Sequence, residues 1–293
     1  MTPLFSIFVC AILLCSAGHV HAQDKPWIDL THELSSDAVF WPTADPFKMT
    51  TDFEGVTERG YYYSAYSFAT AEHGGTHIDA PVHFAEGKNH VNEIPLEQLI
   101  GAAVVVDVSA QVAKDRDHQV SVADLTMWES QHGKIPGGSI VLLYTGFGSY
   151  WPQLDKYLGT AMRGQEGVAA LSFPGLSTEA AGWLIQQRQI KAVGIDTASI
   201  DHGKSKDFST HVTLMTRNVP VFENVANLEQ LPPGGVYVIA LPVKIRGGSG
   251  GPLRIRPIPE SCQSAKRAWV TPLDSRANGM SQVKLKTQLC LAW

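Results

Sequence analysis

Three short, predominantly apolar runs constrain the fold of this 293-residue chain more than any other feature of its sequence. They lie at residues 104–108, 140–144 and 192–196. Apolar runs of this length that do not alternate with polar residues are typical of strands buried on both faces, as in parallel sheets. We therefore expect a sheet that is covered by other elements on both sides.

Two helices are predicted between and after these strands. Ser121 followed by Asp124 is typical of a helix N-terminus with an acidic third residue, and Gly133 marks the end of that helix. Ser177 is expected to begin a second helix that continues to about Gln189. Strand, helix, strand, helix and strand at this spacing indicate an α/β fold with helices packed on the sheet.

Composition excludes several classes of protein. Hydrophobic residues make up 44% of the chain and charged residues 17%, as in globular proteins with an ample core. A formal net charge of −5 gives no reason to expect nucleic acid or an anionic membrane as a partner. We assign residues 23–258 to a single domain.

The first 22 residues are interpreted as a secretory signal peptide. A short apolar run is followed by Val20-His21-Ala22, a small-residue cleavage site before Gln23. A membrane anchor is the alternative, but spanning a bilayer takes about 20 apolar residues. The mature protein is therefore expected to be secreted or extracellular and free of the membrane.

The C-terminal tail, residues 259–293, is expected to be poorly ordered. It contains Cys262 and Cys290, the two cysteines that remain once the signal peptide is removed. A disulfide between them is possible in an oxidising compartment, and neither cysteine is a candidate for catalysis.

The densest set of candidate ligands lies in one stretch, where His73, His77, Asp79 and His83 fall within eleven residues. Two glycines and a proline are interleaved, and they cost about 1 and about 3 kcal/mol in a helix interior, so a helix is disfavoured. We expect a strand that ends at His73, a Gly-Gly turn and an extended segment. In that segment His77, Asp79 and His83 would share one face, because side chains alternate along a strand.

These residue types predict a divalent cation held by His73, His77 and Asp79. A single histidine is more often a surface or core residue than a ligand, but this density with flexible glycines favours metal. Two imidazoles and one carboxylate leave positions open for water and substrate, as in catalytic sites. Such a ligand set accepts zinc and manganese alike, and one or two ions per subunit both remain open.

The stretch resembles the signature of the cyclase or kynurenine formamidase superfamily, H-x-G-T-H-x-D-x-P-x-H, which is matched from His73 to His83. The superfamily includes bacterial kynurenine formamidase and isatin hydrolase. The resemblance implies a swivelling β/β/α domain with a mixed sheet. It also implies that Trp41 lines the substrate pocket, and that His211 and Glu223 complete the site by binding a second metal or by positioning substrate.

The resulting hypothesis is hydrolysis of an amide by a metal-activated water, with His83 as general acid and base. The resemblance suggests N-formylkynurenine, an aryl formamide, or a cyclic aryl amide such as isatin. Trp41 and the tyrosines at 61–63 would suit an aromatic substrate. A secreted metal-dependent binding protein and a non-hydrolytic cyclase are the alternatives. We also expect a homodimer or a higher homo-oligomer.

Overall fold

A computed structural model describes residues 27–258 of the chain. The signal peptide, the tail at 259–293 and all four cysteines lie outside this range, so the predictions made for them stay predictions. Within 27–258, no helix has both the length and the apolar character that a bilayer crossing requires.

Eleven β-strands are found in the described residues, seven of them in one closed sheet. In chain order they are β1 (Lys48–Val56), β2 (Tyr62–Ala69), β3 (His77–Asp79), β4 (Ile100–Asp107), β5 (Gln119–Val120), β6 (Ile140–Tyr144), β7 (Gly175–Leu176), β8 (Ala192–Ile195), β9 (Val221–Glu223), β10 (Val236–Pro242) and β11 (Gly250–Pro257).

The closed sheet is a barrel with the strand order β10-β11-β3-β9-β8-β6-β4. Strands β4, β6, β8 and β9 are parallel to one another, whereas the pairs β4–β10, β10–β11, β11–β3 and β3–β9 are antiparallel. The predicted α/β domain with a mixed sheet is therefore confirmed, and the three apolar runs form its parallel centre. Closure of the sheet was not predicted, because β3 and β9 are only three residues long and carry no strand pattern of their own.

Alternation along the barrel strands separates two cores. One set of side chains fills the barrel interior, including Val105, Leu142, Ile78 and Phe222. The residues beside them, such as Val106, point outward and are covered by the helices. Both faces of the parallel strands are therefore buried, as their unbroken apolar runs predict.

The helices lie outside the barrel. They are α1 (Leu96–Leu99), α2 (Ser109–Val112), α3 (Val122–His132), α4 (Leu154–Tyr157), α5 (Gly164–Ala169), α6 (Thr178–Trp183) and α7 (Ser209–Met215).

Both predicted helices are present. At the start of α3, Ser121 Oγ accepts from the amide of Asp124, and the carboxylate of Asp124 accepts from the amide of Ser121. Gly133, with φ of 86°, ends it. The second helix is interrupted, because α6 continues as a π-helical turn, Leu184–Arg188.

The histidine-rich stretch departs from the predicted conformation at both ends. Strand β2 stops at Ala69, so His73 lies in a loop and not at a strand end. The extended segment covers only His77–Asp79, and Pro81–His83 then form a 3₁₀ turn. Proline fixes φ near −65° and is favoured at the first position of a helical turn, which explains why the strand stops there.

Strands β1 and β2 form a separate hairpin that carries an exposed aromatic surface. They pair over their whole length, from Lys48 with Ala69 to Val56 with Tyr62. Nearly every residue of the two strands is exposed. The tyrosines at 61–63 lie at the turn of this hairpin and do not line the pocket described below, so their predicted role beside the substrate is wrong.

Candidate metal centre

Two neighbouring strands supply the centre of the site. His77 on β3 is paired with Glu223 on β9, and Asp79 is paired with Val221. Because Ile78 and Phe222 fill the barrel interior, the alternating residues His77, Asp79 and Glu223 point out of the barrel. All three side chains are almost fully buried, at 2%, 2% and 5% exposure.

A glycine turn brings His73 back to this pair of strands. Gly75 adopts the left-handed region with φ of 60°, and Gly74 packs so closely on the ring of Phe40 that a Cβ atom would not fit. The turn places His73 Nδ1 2.6 Å from Asp79 Oδ1. The predicted approach of His73 to Asp79 is therefore observed, although His73 lies in a loop and not at the end of a strand.

His83 reaches the site from its 3₁₀ turn and stacks on His73, with ring centroids 3.8 Å apart. Burial lowers the pKa of His83 to about 4, because desolvation outweighs the attraction of Asp79. The imidazole of His83 is therefore neutral at pH 7.

His211 on α7 closes the other side of the site. Its Nε2 atom lies 3.1 Å from both Asp79 Oδ2 and Glu223 Oε1. Its Nδ1 atom lies 2.6 Å from Asp201 Oδ2, which also accepts from the amide of His211. Asp201 was not among the predicted site residues, and only its position in the polar loop that follows β8 could have suggested it.

Charges within the cluster are strongly coupled. Burial disfavours the charged form of His77, but the carboxylates of Asp79 and Glu223 outweigh it and raise its pKa to about 9. The pKa of His211 is raised in the same way against its burial, chiefly by Asp201. Burial and the nearby charge of Asp79 raise the pKa of Glu223. The carboxylates of Asp79 and Glu223 therefore lie close together, and a positive charge beside them would be stabilised.

The residues fit a divalent cation. Two groups have candidate ligand atoms within 4.8 Å of one another, one made by His73, Asp79 and His83 and the other by His77, Asp79 and Glu223. His77 Nδ1 lies 2.9 Å from the carbonyl of Gly75, which leaves Nε2 directed at the carboxylates. That Nε2 atom is buried, and its contacts with Asp79 Oδ1 at 3.2 Å and Glu223 Oε2 at 3.4 Å lack hydrogen-bond geometry, so a cation between the three groups would satisfy them.

The cluster lies in a cavity of about 310 Å³ whose walls are largely apolar. Trp41 lines it, as the sequence predicts, with its ring 6.1 Å from that of Phe208. Phe84 and Phe208 are tilted against each other with ring centroids 5.2 Å apart, and Phe84 stacks on His211 with centroids 4.5 Å apart. The sequence analysis had missed both phenylalanines. The site is thus a buried polar cluster beneath aromatic walls.

The chain is similar to known hydrolases over most of its length. It is 29% identical over 191 residues to an isatin hydrolase of Roseibium aggregatum, covering 62% of this chain and 70% of that protein. It is 26% identical over 243 residues to a kynurenine formamidase of Bacillus thuringiensis, covering 80% and 100%. The solved structure of isatin hydrolase A from Ralstonia solanacearum superposes with a TM-score of 0.71 at 32% identity, covering 79% and 91%.

A family model also matches the chain. The model of the cyclase family, described as "Putative cyclase", matches residues 28–202, which is more than half of the chain and includes the whole stretch from His73 to His83. The match confirms the resemblance on which the sequence hypothesis rests. This chain therefore belongs to the cyclase family.

Proposed function

We propose that this protein is a metal-dependent amidohydrolase that cleaves an aryl formamide or a cyclic aryl amide, such as N-formylkynurenine or isatin. The observation that carries the proposal is the cluster of imidazoles and carboxylates around Asp79 at the base of an aromatic cavity. The similarity to an isatin hydrolase and a kynurenine formamidase supports both substrate classes equally.

Each site residue takes a role that follows from its position. His73, His77, Asp79 and Glu223 would hold the cation, with His211 between the two carboxylates. A bound zinc or manganese ion would acidify a water molecule and polarise the carbonyl oxygen of an amide. Trp41 and the phenylalanines would bind the aromatic ring of the substrate and exclude bulk water.

His83 is proposed to carry the proton from the attacking water to the leaving nitrogen. It lines the cavity and lies against His73, so it can reach both the cation and a bound amide. His83→Ala is expected to lower kcat by about 10²–10⁴ fold, the usual contribution of general acid-base catalysis. His132→Ala, at the exposed end of α3, is the matched control.

Purified protein should be loaded with zinc or manganese and assayed with N-formylkynurenine and with isatin, with and without a chelator. Turnover that the chelator abolishes and His83→Ala reduces supports the proposal. Tight binding of both compounds without turnover would show that the protein is a binding protein and not an enzyme for these substrates. If His83→Ala loses its metal ion, His83 belongs to the ligand set and not to the proton path.

We also propose that two copies of the chain associate through the β1–β2 hairpin. Eight large hydrophobic side chains of residues 48–69 are 41–70% exposed: Met49, Phe53, Val56, Tyr61, Tyr62, Tyr63, Tyr66 and Phe68. A fully buried aromatic side chain contributes about 150–250 Å² of buried surface, so the hairpin could bury on the order of 900 Å² in an interface. Each partner of a standard interface contributes about 800 Å², which a symmetric pair of hairpins would supply.

Sedimentation analysis at micromolar concentration tests this association. Wild-type protein is expected to be a dimer or a higher oligomer, and replacement of Tyr62 and Phe68 by serine is expected to yield monomers. Met127→Ser is the control, because Met127 is equally exposed but lies on α3. A wild-type monomer would refute the proposal.

Export of the protein is the remaining proposal, and it rests on the signal-like segment at residues 1–22. Expression of the full chain with its own N-terminus, followed by N-terminal sequencing, provides the test. We expect a mature protein outside the cytoplasm that begins at Gln23. Retention of Met1 on the cytoplasmic protein would show that the segment is not a cleaved signal.

A further inference from the structure

The glycine-rich segment at residues 246–251 has no role in the function proposed above, yet it lies against one of the metal-site histidines. Its only residue with a polar side chain after Arg246 is Ser249. Ser249 Oγ lies 2.9 Å from His73 Nε2, on the opposite side of the imidazole from Asp79. The carboxylate of Glu72 accepts hydrogen bonds from Ser249 Oγ at 2.6 Å and from the Ser249 amide at 2.9 Å.

Hydrogen-bond chemistry fixes the direction of this chain of contacts. An ionised carboxylate only accepts, so the single hydroxyl proton of Ser249 goes to Glu72. The oxygen of Ser249 is then left as an acceptor, and His73 Nε2 must be the donor. The Nδ1 atom of His73 is therefore the nitrogen that faces Asp79 and the site.

The glycines on either side of Ser249 permit this close approach. A Cβ atom on Gly250 would lie 2.4 Å from the backbone carbonyl oxygen of Ile78 and 2.6 Å from Cε1 of the His73 ring, so no side chain fits there. A Cβ atom on Gly248 would lie 2.7 Å from Glu72 Oε1 and would displace that carboxylate. The segment is thus glycine-rich where it must approach His73 and Glu72 closely.

The segment is also tied directly to the strand that carries the other ligands. Gly250 pairs with Asp79 in the β11–β3 ladder, and the carbonyl of Ser249 accepts from the amide of Ala80 at 2.8 Å. The positions of Asp79 and Ser249 are therefore coupled through the pairing of β3 with β11. Both residues that contact the His73 ring nitrogens belong to this paired segment.

We propose that Ser249 and Glu72 are positioning residues that orient His73 and select its Nδ1 atom as the metal ligand. This inference rests on the proposed function only in requiring that the site holds a cation. Partners that bind the second nitrogen of a metal-ligating histidine fix its tautomer and ring orientation. A purely structural role would instead join the loop to β3 and leave metal binding unchanged.

Metal affinity separates these two roles. The dissociation constant for Zn²⁺ should be measured by competition with a chromophoric chelator. Loss of such a partner usually weakens binding by about 10–100 fold, and we expect this for Ser249→Ala. Glu72→Gln should cause a smaller loss, because its amide oxygen can still accept from Ser249. Ser249→Thr, which keeps the hydroxyl group, should restore most of the affinity.

Ser172→Ala is the matched control. Ser172 Oγ donates to Asp117 Oδ1 at 2.9 Å in a half-buried setting, and neither residue lines the cavity of the candidate metal centre. It should leave the dissociation constant unchanged. The visible spectrum of the Co²⁺-loaded protein should change for Ser249→Ala and not for this control, because it reports the ligand geometry around the ion.

Unfolding of the metal-free variants in urea completes the test. Ser249→Ala is expected to unfold at nearly the same urea concentration as Ser172→Ala, so that weaker binding cannot be attributed to a less stable fold. Zinc binding by Ser249→Ala as tight as wild type overturns the inference. If Ser249→Ala binds zinc more weakly but the wild-type protein hydrolyses neither substrate, the inference is supported and the proposed hydrolysis is refuted. If the wild-type protein binds no ion, both are refuted.

Discussion

Replacement of Tyr157 by phenylalanine should destabilise the protein through a hydrogen-bond chain that leads to the metal site. The hydroxyl of Tyr157 is buried and lies 2.8 Å from Asn224 Oδ1 and 3.0 Å from the carbonyl of Asp196. Asn224 Nδ2 donates to the carbonyl of Gly75 at 2.7 Å, and that carbonyl also holds His77 Nδ1. One hydroxyl therefore anchors the amide that fixes the turn before His77.

The expected cost follows from the acceptor that is left behind. Phenylalanine keeps the shape of the ring, but the buried Asn224 Oδ1 loses its hydroxyl donor. A buried polar atom left unsatisfied costs about 1–3 kcal/mol. For a domain of 150–250 residues each kcal/mol lowers the midpoint of thermal unfolding by about 2–4 °C, so a loss of about 4–8 °C is expected at 2 kcal/mol.

Urea unfolding of wild type and Tyr157→Phe measures this difference, with the slope of the transition expected to stay the same. Tyr150→Phe is the control, because the Tyr150 ring is 37% exposed and water can replace the lost contact. A Tyr157→Phe protein as stable as the control would show that this hydroxyl does not anchor Asn224, and the reasoning would fail.

Three further perturbations test other parts of the structure. Removal of the metal ion with a chelator should lower the free energy of unfolding by about 4 kcal/mol relative to an ion concentration 1,000 times the dissociation constant, and an unchanged thermal midpoint would contradict a bound ion. Asp124→Asn should cost about 1 kcal/mol at pH 7. Burial opposes ionisation of Asp124, but hydrogen bonds from Ser121 outweigh it and lower its pKa, so this stabilisation is present above about pH 4 and is lost as the pH falls. Urea unfolding at pH 3 and 7 should therefore show a smaller difference from wild type at pH 3 than at pH 7. Gly194→Ala should cost about 1–3 kcal/mol, because its Cβ would lie 2.8 Å from Leu142 Cδ2 inside the barrel. Gly182→Ala, on α6 in open space, should instead stabilise by up to about 1 kcal/mol in the same assay.

The parallel centre of the fold could be predicted because its strands carry a strong local signal. The runs at 104–108, 140–144 and 192–196 are predominantly apolar because both of their faces are buried, and each forms most of a barrel strand. Strands β3 and β9 give no such signal, because half of their residues point into the polar site. Their pairing is set by long-range contacts, and so barrel closure could not be read from the sequence.

The site divides in the same way between local and distant information. His73, His77 and Asp79 stand close together in the sequence and also converge in space. His211 and Glu223 could be singled out only through the family resemblance. In the structure, His211 Nε2 lies 3.1 Å from both Asp79 Oδ2 and Glu223 Oε1.

The residues that hold the ligands in place were missed for a different reason. Asp201, Ser249 and Glu72 are common polar residues in loops, and nothing in their sequence neighbourhood distinguishes them from solvent-facing residues. Their importance depends on which histidine nitrogen each one meets, which is a property of the folded chain alone.

The short strand β3 is paired on both sides, with β11 on one edge and β9 on the other. Asp79 and His211 are 132 residues apart, so the cluster comes into existence only after almost all of the described chain has been synthesised and arranged. A nascent chain has no complete binding site with which to capture an ion. Any ion held by the cluster would therefore bind only after β3 is enclosed between β9 and β11, among the ions present where the chain completes its folding.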